Sequence, residues 1–233
     1  MCYRTVMTTP KAALAELFGV LPDGLPEQQP RYNIRPTQPL VTVCADQGRR
    51  IMREMRWGFV PHWYKTLKDG PIILNARAET IATKPSFAEA VRQRRCLIPS
   101  DGYYEWTTDD SGQGKDPWFI HPTDGQCMGF AGIWQAWRQP DGDMLETCAI
   151  VTTAANTKLH NLHARMPLII APKDFSLWLG EAGHGAARLM VPAPDDSLEY
   201  YRGKREVNGA KDEKNSYIQP LEVSLNQRQG GRS

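Results

Sequence analysis

A cysteine at position two is the residue of this sequence with the most distinctive chemistry. Removal of the initiator methionine, which is usual before a small side chain, would leave Cys2 at the N-terminus with both a thiol and a free α-amine. An α-amine has an ordinary pKa of about 7.7–8.0, so much of it is nucleophilic near neutral pH. Such an aminothiol condenses with an aldehyde to an imine, which the thiol closes to a thiazolidine. Position alone also fits an ordinary terminus, so the remaining sequence must supply a site.

A carboxylate and a histidine are the candidates for proton transfer. Glu105 lies among aromatic residues in the segment 101–106, and burial against their rings would raise its pKa and make it a general acid near neutral pH. Strand alternation equally allows it to face solvent. His163 lies just before an apolar segment, and His160, three residues earlier, competes with it for the same role. Histidine titrates near neutrality and transfers protons readily, although a loop histidine is often structural.

Polar and aromatic residues indicate an anionic partner that contains bases. Asn75 and Arg77 are two residues apart at the end of an apolar run, so in a continuing strand they would point the same way. Arginine binds phosphate in a bidentate manner, and asparagine both donates and accepts hydrogen bonds. Trp63 and Tyr64 offer stacking surfaces, worth about 1–3 kcal/mol per base. Trp57 fits the core as well as it fits this surface.

Short strands and a few helices must position these residues. Thr9 and Pro10 predict the start of a helix over 11–18 that ends at Gly19. Ser86 and Glu89 predict a capping box for a second short helix, and Pro172 begins a third that Gly180 ends. The stretch 31–37 is predicted as a loop and 57–64 as an exposed loop. Strands are predicted over 40–45, 51–57, 95–99, 102–106, 118–121, 128–134, 146–153 and 166–170.

The pattern of elements predicts an α+β protein with a mostly antiparallel, barrel-like or sandwich β core and a few flanking helices. Its 233 residues contain no linker of disordered composition, so we expect one domain over residues 1–221. The polar residues 222–233 are expected to form a disordered tail.

Composition excludes several classes of protein. Apolar runs stay well short of the roughly 18 residues that span a bilayer, and the signal-peptide pattern is missing, so we expect a cytoplasmic protein without membrane contact. The five cysteines are scattered without a C-x-x-C pair, which argues against a disulfide framework and a metal site. Residues 1–106 carry 15 basic and 10 acidic side chains, whereas 107–233 carry 13 and 16. The basic first half favours a nucleic acid.

Seven motifs, taken in order, resemble those of the SOS response associated peptidase (SRAP) family. The resemblance extends over residues 2–221, and the seven motifs occur in the family's order. They are Cys2 with Arg4, Tyr32-Asn33-Ile34-Arg35-Pro36-Thr37, Trp57-Gly58, Asn75-Ala76-Arg77-Ala78-Glu79-Thr80, Asp101-Gly102-Tyr103-Tyr104-Glu105-Trp106, Ile150-Val151-Thr152 and His163-Ala164-Arg165-Met166-Pro167.

The resemblance implies that Cys2 forms a thiazolidine crosslink with the ring-opened aldehyde of an abasic site in single-stranded DNA, which protects the lesion during replication and the SOS response. Glu105 would assist ring opening and proton transfer, Asn75 would orient the N-terminus or the sugar, and His163 rather than His160 would handle protons. The residues implied to contact DNA are Arg4, Asn33, Arg35, Pro36, Trp63, Tyr64, Arg77 and Thr152. The implied protein is a monomer that uses no cofactor and joins the nucleoid when it binds DNA.

Two positions depart from the family pattern, and two other functions stay open. Tyr3 stands where the family commonly has glycine, and Ala164 where it has aspartate. The first alternative is a cysteine peptidase or N-terminal-nucleophile hydrolase in which Cys2 attacks an amide and removal of Met1 is autocatalytic. The second alternative is a non-covalent single-strand binding module. A peptidase does not require phosphate-binding arginines, and a binding module does not require Cys2, Glu105 and His163.

Overall fold

The computed structural model describes residues 3–21 and 29–221. The predictions for Cys2 and for the tail 222–233 fall on residues outside these ranges. The helices are α1 (Lys11–Phe18), α2 (Pro85–Gln93) and α3 (Phe175–Leu179), and short 3-10 helices cover Pro172–Asp174, Ala186–Leu189, Arg205–Val207 and Asn215–Ile218. The strands are β1 (Thr5–Met7), β2 (Arg31–Ile34), β3 (Pro39–Asp46), β4 (Arg49–Trp57), β5 (Asn75–Arg77), β6 (Arg95–Ser100), β7 (Gly102–Thr108), β8 (Lys115–Pro122), β9 (Met128–Arg138), β10 (Met144–Ala154), β11 (Arg165–Pro167), β12 (Ile169–Ile170) and β13 (Leu198–Arg202).

Five strands close into a barrel. The ring runs β10-β4-β3-β6-β9 and returns to β10, since β9 and β10 pair over Arg138–Gly132 and Met144–Ile150. β5 and β11 add to β10, and β12 adds to β9. All of these pairings are antiparallel except those of β10 with β4 and β5. Closure leaves the ring strands without an open edge. The predicted α+β fold with a barrel-like, mostly antiparallel core is confirmed.

A second sheet lies beside the barrel in the strand order β13-β8-β7-β1-β2. β6 ends at Ser100 in the barrel and β7 begins at Gly102 in the second sheet, so one short corner joins the two. The side chains of Thr5 and Ser100 hydrogen-bond at this corner, with 2.7 Å between their oxygens, in the interior of the protein. The first strand of the chain is thereby fixed against the barrel.

The apolar side chains divide into two clusters that match this arrangement. The larger cluster fills the barrel and the space under the helices, and it includes fully buried Trp57, Phe130 and Ile150. A smaller cluster lies on the second sheet and includes Tyr104 and Tyr217. Because Tyr217 comes from the end of the chain, the second sheet depends on the C-terminal residues for its core.

Most predicted elements are present, but both predicted helix caps are wrong. Thr9 does not cap α1, because its hydroxyl donates to Asp101 Oδ1 at 2.5 Å and Pro10 occupies the cap position. α2 begins at Pro85 with Lys84 as cap residue and has no capping bond from a side chain. Gly19 ends α1 in the left-handed conformation, as predicted.

Two further predictions need correction. The stretch 31–37 is not all loop, because its first four residues form β2, which pairs with β1. The strand predicted over 166–170 is two strands separated at Leu168. The Leu168 N–H donates to Val151 O of β10 and its carbonyl accepts from Ala131 of β9. The chain therefore crosses from one barrel strand to the other at this residue.

Candidate functional site

Glu105 is a buried carboxyl group on β7. It is 4 % exposed, so the structure settles the orientation that the sequence left open. Burial raises the pKa of Glu105 above its ordinary value, and nearby positive charge, including that of His163, opposes this effect. A neutral carboxylic acid near physiological pH is the state that a general acid needs. The charge interaction also places His163 close to Glu105.

The beginning of the chain runs along Glu105. β1 and β7 are antiparallel, with Thr5 opposite Tyr103, and the Tyr104 N–H donates to the Arg4 carbonyl at 3.1 Å. One further step in this register brings Tyr3 opposite Glu105. Tyr3 is 43 % exposed. Cys2, which is bonded to Tyr3, lies outside the described residues.

His163 is held by the backbone of Arg165. The Arg165 N–H donates to His163 Nδ1 at 2.9 Å, so in the neutral ring Nδ1 is the acceptor and Nε2 carries the hydrogen. The Arg165 carbonyl lies 3.1 Å from the same nitrogen and accepts Nδ1–H when the ring is protonated. Both charge states therefore carry a hydrogen on Nε2. His160 is exposed, whereas His163 is half-buried beside Glu105, which supports the choice between them.

Asn75 and Arg77 lie on β5 beside the end of β10. Ala76 is buried between them, so the two side chains share the opposite face, as the spacing predicted. Arg77 is exposed. Asn75 pairs with Ile150 and Arg77 with Thr152, which places this face next to the strand that leads to His163.

The guanidinium of Arg165 joins the loop of His163 to β5 and β10. It forms a bidentate ion pair with Glu79, with N–O distances of 2.7 and 2.9 Å. It also donates to the carbonyl of Thr152 at 2.6 Å and contacts its hydroxyl at 3.3 Å. Thr152 is fully buried, which argues against a direct phosphate contact and assigns it to holding Arg165.

Arg4 and Arg35 lie close together near the start of β1. Arg4 donates to Asn33 Oδ1 and to the carbonyls of Val207 and Asn208, and its guanidinium lies 5.8 Å from the Trp106 ring. Burial lowers the pKa of Arg4, and the charge of Arg35 adds to this effect. Two neighbouring guanidinium groups make this region positively charged.

Asn33 does not have the role that its motif suggested. It is 1 % exposed, and its side-chain NH2 donates to the carbonyls of Ala210 and Asp212. A buried side chain with these partners does not reach a phosphate. Instead Asn33 fixes Arg4 and the C-terminal residues.

Two connections between strands meet at Trp57. Pro36 lies on one of them, and Trp63 and Tyr64 lie on the other. Pro36 is in the turn whose Thr37 donates to the Trp57 carbonyl at 2.8 Å. Trp57 is buried, and its indole donates to the Leu74 carbonyl, which confirms the alternative that it is core. The connection from Gly58 to Leu74 carries Trp63, which is 47 % exposed. This loop is anchored by Trp137, whose indole donates to the Tyr64 carbonyl at 2.7 Å.

Several residues that shape the site were missed by sequence reasoning. Glu79 and Arg165 lie within recognised motifs, but their ion pair joins positions 86 residues apart. Asn208 and Glu213 belong to the C-terminal part, where the sequence carries no motif. In the described part of the chain, no three His, Cys, Asp or Glu side chains are grouped to hold a metal ion. None of the helices there is long and apolar enough to cross a membrane.

Comparison with known proteins gives matches over most of the chain. The family model described as SOS response associated peptidase (SRAP) matches residues 1–210. The Abasic site processing protein YoqW of Bacillus subtilis is 34% identical, with 91% of this chain and 96% of that protein covered. The Abasic site processing protein YedK of Escherichia coli is 31% identical, with 84% and 87% covered.

Solved structures give the same picture of the fold. The X-ray crystal structure of a protein from Bacteroides thetaiotaomicron matches with a TM-score of 0.83 at 26% identity, and covers 94% of this chain and 100% of that one. A protein from Bordetella bronchiseptica matches with a TM-score of 0.73 at 21% identity, over 88% and 100% of the two chains. At that identity the second likeness supports the fold alone.

Proposed function

Because this chain belongs to the SRAP family, we propose that it processes abasic sites in DNA by a covalent crosslink from Cys2. The observation that carries the proposal is the buried carboxyl of Glu105, whose pKa is raised by burial, on the strand that pairs with β1 and within the charge influence of His163. The names of YoqW and YedK support abasic-site processing as the activity. The lesion is bound in single-stranded DNA, where the sugar is accessible.

The proposed reaction has two bond-forming steps. After Met1 is removed, the neutral α-amine of Cys2 attacks the aldehyde carbon of the open sugar, and the carbonyl oxygen leaves as water to give an imine. The Cys2 thiolate then adds to the imine carbon while the nitrogen takes up a proton, which closes the thiazolidine ring. Neither step needs an oxidant or a reductant.

Glu105 and His163 supply the proton transfers. In its neutral form Glu105 donates a proton to the departing oxygen, and it recovers one from the amine as the imine forms. His163 presents Nε2–H in both charge states and therefore acts as a donor to the reacting oxygen or nitrogen. Such groups contribute about 10²–10⁴-fold each to rate. Asn75, on the adjoining strand, orients the amine or the sugar.

Arginines hold the strand on either side of the lesion. Phosphates are contacted by Arg77, which is exposed on β5, and by the neighbouring residues Arg4 and Arg35. Pro36, Trp63 and Tyr64 form the adjacent surface on which bases unstack, and Trp63 is the exposed ring of this group. Residues 1–221 act as one domain in this proposal, which the hydrogen bond between Thr5 and Ser100 at the corner of the two sheets supports.

Incubation of Met1-free protein with a single-stranded oligonucleotide that bears one abasic site tests the proposal. We expect a heat-resistant shifted band on a denaturing gel, which Cys2→Ala abolishes. Cys2→Ser keeps the amine, so borohydride should trap its imine although no stable ring forms. An undamaged oligonucleotide is the control. A band of full yield with Cys2→Ala would contradict the role of Cys2 in the crosslink, and no band with wild-type protein would contradict the covalent mechanism and leave a binding module.

A further inference from the structure

The edge strand β2 contains an anion-binding site that the chain itself occupies. Between the pairs Thr5–Ile34 and Met7–Arg31, two steps along β1 face three steps along β2, so β2 bulges at Tyr32 and Asn33. In a regular strand consecutive N–H groups point to opposite sides. A bulge turns two of them to one side, and such pairs of N–H groups bind anions.

The anion found there is the carboxylate of Glu213. One of its oxygens accepts from the N–H groups of Tyr32 and Asn33 at 2.6 and 2.7 Å. Its other oxygen lies 3.5 Å from Arg31 Nε. The Glu213 side chain is 33% exposed, so it can leave this site for solvent without unpacking the core.

The surroundings of this site are cationic and adjoin the proposed DNA site. Arg35 follows in the same motif and donates to the Lys211 carbonyl at 3.3 Å, and its charge acts on Arg4 near the start of the chain. Glu213 therefore places one negative charge against Arg31 and two N–H groups, in a segment that Arg35 also contacts. A backbone phosphate of a strand has the charge and the oxygens to take its place.

The groups that form the anion site and the residue that occupies it lie in different parts of the chain. The N–H groups and arginines lie within residues 1–210, which the family model matches, whereas Glu213 lies beyond them. Near Glu213 the segment is joined to β2 by the Asn33 side chain, which donates to the carbonyls of Ala210 and Asp212, and the Tyr217 hydroxyl donates to Asp212 within the segment. The carboxylate is thus supplied by a peripheral segment.

We infer that the β2 bulge is a phosphate subsite for single-stranded DNA and that Glu213 is an internal competitor that a bound strand displaces. This inference rests on the proposed function for the identity of the phosphate, whereas the existence of the anion site does not. Glu213 acts on affinity and has no part in the reaction at Cys2.

Inorganic phosphate tests the anion site without DNA. In amide NMR titrations of the full chain, Glu213→Gln should show saturable shifts of the Tyr32 and Asn33 resonances at lower phosphate concentration than wild type. Glu213→Asp keeps the charge but shortens the side chain, and should also bind phosphate more tightly than wild type. Glu206→Gln removes an exposed charge from the same segment and is the matched control. Equal titrations for all four proteins would overturn the anion site.

A short oligonucleotide without a lesion tests the use of the site by DNA. Glu213→Gln should bind it about three- to fivefold more tightly than Glu206→Gln at low salt, the size of one partly exposed ion pair. Its plot of log affinity against log salt should be steeper by about 0.7, the value for one phosphate of a single strand. Unchanged melting temperatures show that the variants fold.

If Glu213→Gln binds phosphate but matches Glu206→Gln on DNA, the inference of a DNA subsite is wrong. Crosslinking by wild type is a separate measurement and reports on the proposed function alone.

Discussion

At the scale of single residues, the environment of Glu105 decides what its carboxyl group can do. The sequence places it on a strand between aromatic residues, where either face was possible. The structure buries it, and burial raises its pKa. The carboxyl groups on exposed strand positions, such as Glu54, lack this environment. The difference between an acid catalyst and a solubilising charge therefore lies in burial.

Replacing Glu105 with glutamine should slow crosslinking by about 10- to 100-fold, the lower part of the range for general acid–base catalysis. Single-turnover gel assays measure the rate, and binding of an undamaged oligonucleotide should stay within twofold, roughly the experimental error of such assays. Glu54→Gln, on the exposed face of β4, is the control. An unchanged rate for Glu105→Gln would remove this residue from the proton transfers.

The raised pKa of Glu105 also has a consequence for stability. A carboxyl whose pKa is raised by folding contributes stability below its unfolded pKa, and this contribution is lost as pH rises through the folded pKa. Glu105→Gln cannot ionise. The free energy of unfolding of this variant minus that of wild type should therefore increase between about pH 4, near the ordinary pKa of glutamate, and about pH 8. Urea denaturation at several pH values measures this, and a pH-independent difference would contradict the burial argument.

His163 should be the Nε2–H tautomer when neutral, because the Arg165 N–H already donates to Nδ1. In ¹⁵N NMR spectra of the neutral ring, Nδ1 should resonate as an unprotonated nitrogen and Nε2 as a protonated one. The exposed His160 provides the comparison within the same spectrum. Protonated Nδ1 in the neutral ring would mean that His163 acts as a base through Nε2.

At the scale of elements, the pairing of β1 with β7 brings Arg4 and Thr5 to the strand that carries Glu105. Val6 lies opposite Gly102, and a Cβ atom at Gly102 would come within 2.3 Å of the Phe119 ring and 2.9 Å of the Ile120 carbonyl. The absence of a side chain here allows β7 to approach β8 closely. The same corner joins the second sheet to the barrel.

Gly102→Ala should therefore destabilise the protein by about 1–3 kcal/mol, the usual cost of overpacking. We also expect slower crosslinking at a temperature where the variant is still folded, because β1 shifts relative to Glu105. Thermal unfolding and the gel assay measure the two effects. Gly209→Ala, with open space around the added atom, should change neither. A Gly102→Ala protein with wild-type stability would contradict the packing argument.

At the scale of the whole molecule, ion pairs fasten the C-terminal residues to the second sheet. Arg205 bonds to Asp116 at 2.7 Å and to Asp109 at 2.8 Å, and Arg202 pairs with Asp116. Hydrogen bonds from the Ser111 hydroxyl and the Gly114 N–H, together with Arg205, lower the pKa of Asp109 to about 2. The segment that holds Arg4 and occupies the β2 bulge therefore depends on ionised carboxylates.

Acid should loosen this attachment before it affects the barrel. A carboxyl with a lowered pKa contributes stability above its ordinary pKa, near 3.8 for Asp109, and loses it as pH falls toward about 2. Asp109→Asn should therefore be less stable than wild type at pH 7, and the difference should shrink as pH falls below about 4. Urea denaturation over this range measures it, with the exposed neighbour Asp110→Asn as control. A constant difference would show that Asp109 stays protonated or unpaired throughout.

The sequence predicted the elements whose signals are local. Gly19 and Gly180 ended their helices as predicted, and both have the left-handed conformation that glycine favours after a helix. The strand β2 was missed because its partner β1 has only three residues and gives no alternating pattern. The capping prediction for α1 failed because Asp101, distant in sequence, accepts the hydrogen bond of the Thr9 hydroxyl.

Residue types and their spacing determined the candidate chemistry of this protein: an aminothiol at Cys2, a carboxyl at Glu105, a histidine at 163, and the antiparallel α+β class. Only the tertiary structure decided that Glu105 is buried, that Asn33 and Thr152 hold arginines, and that Glu213 occupies the bulge in β2. The physical reason is that pairing between strands and burial depend on contacts between residues far apart in the chain. A local pattern fixes which groups a segment carries, whereas the fold fixes what surrounds them.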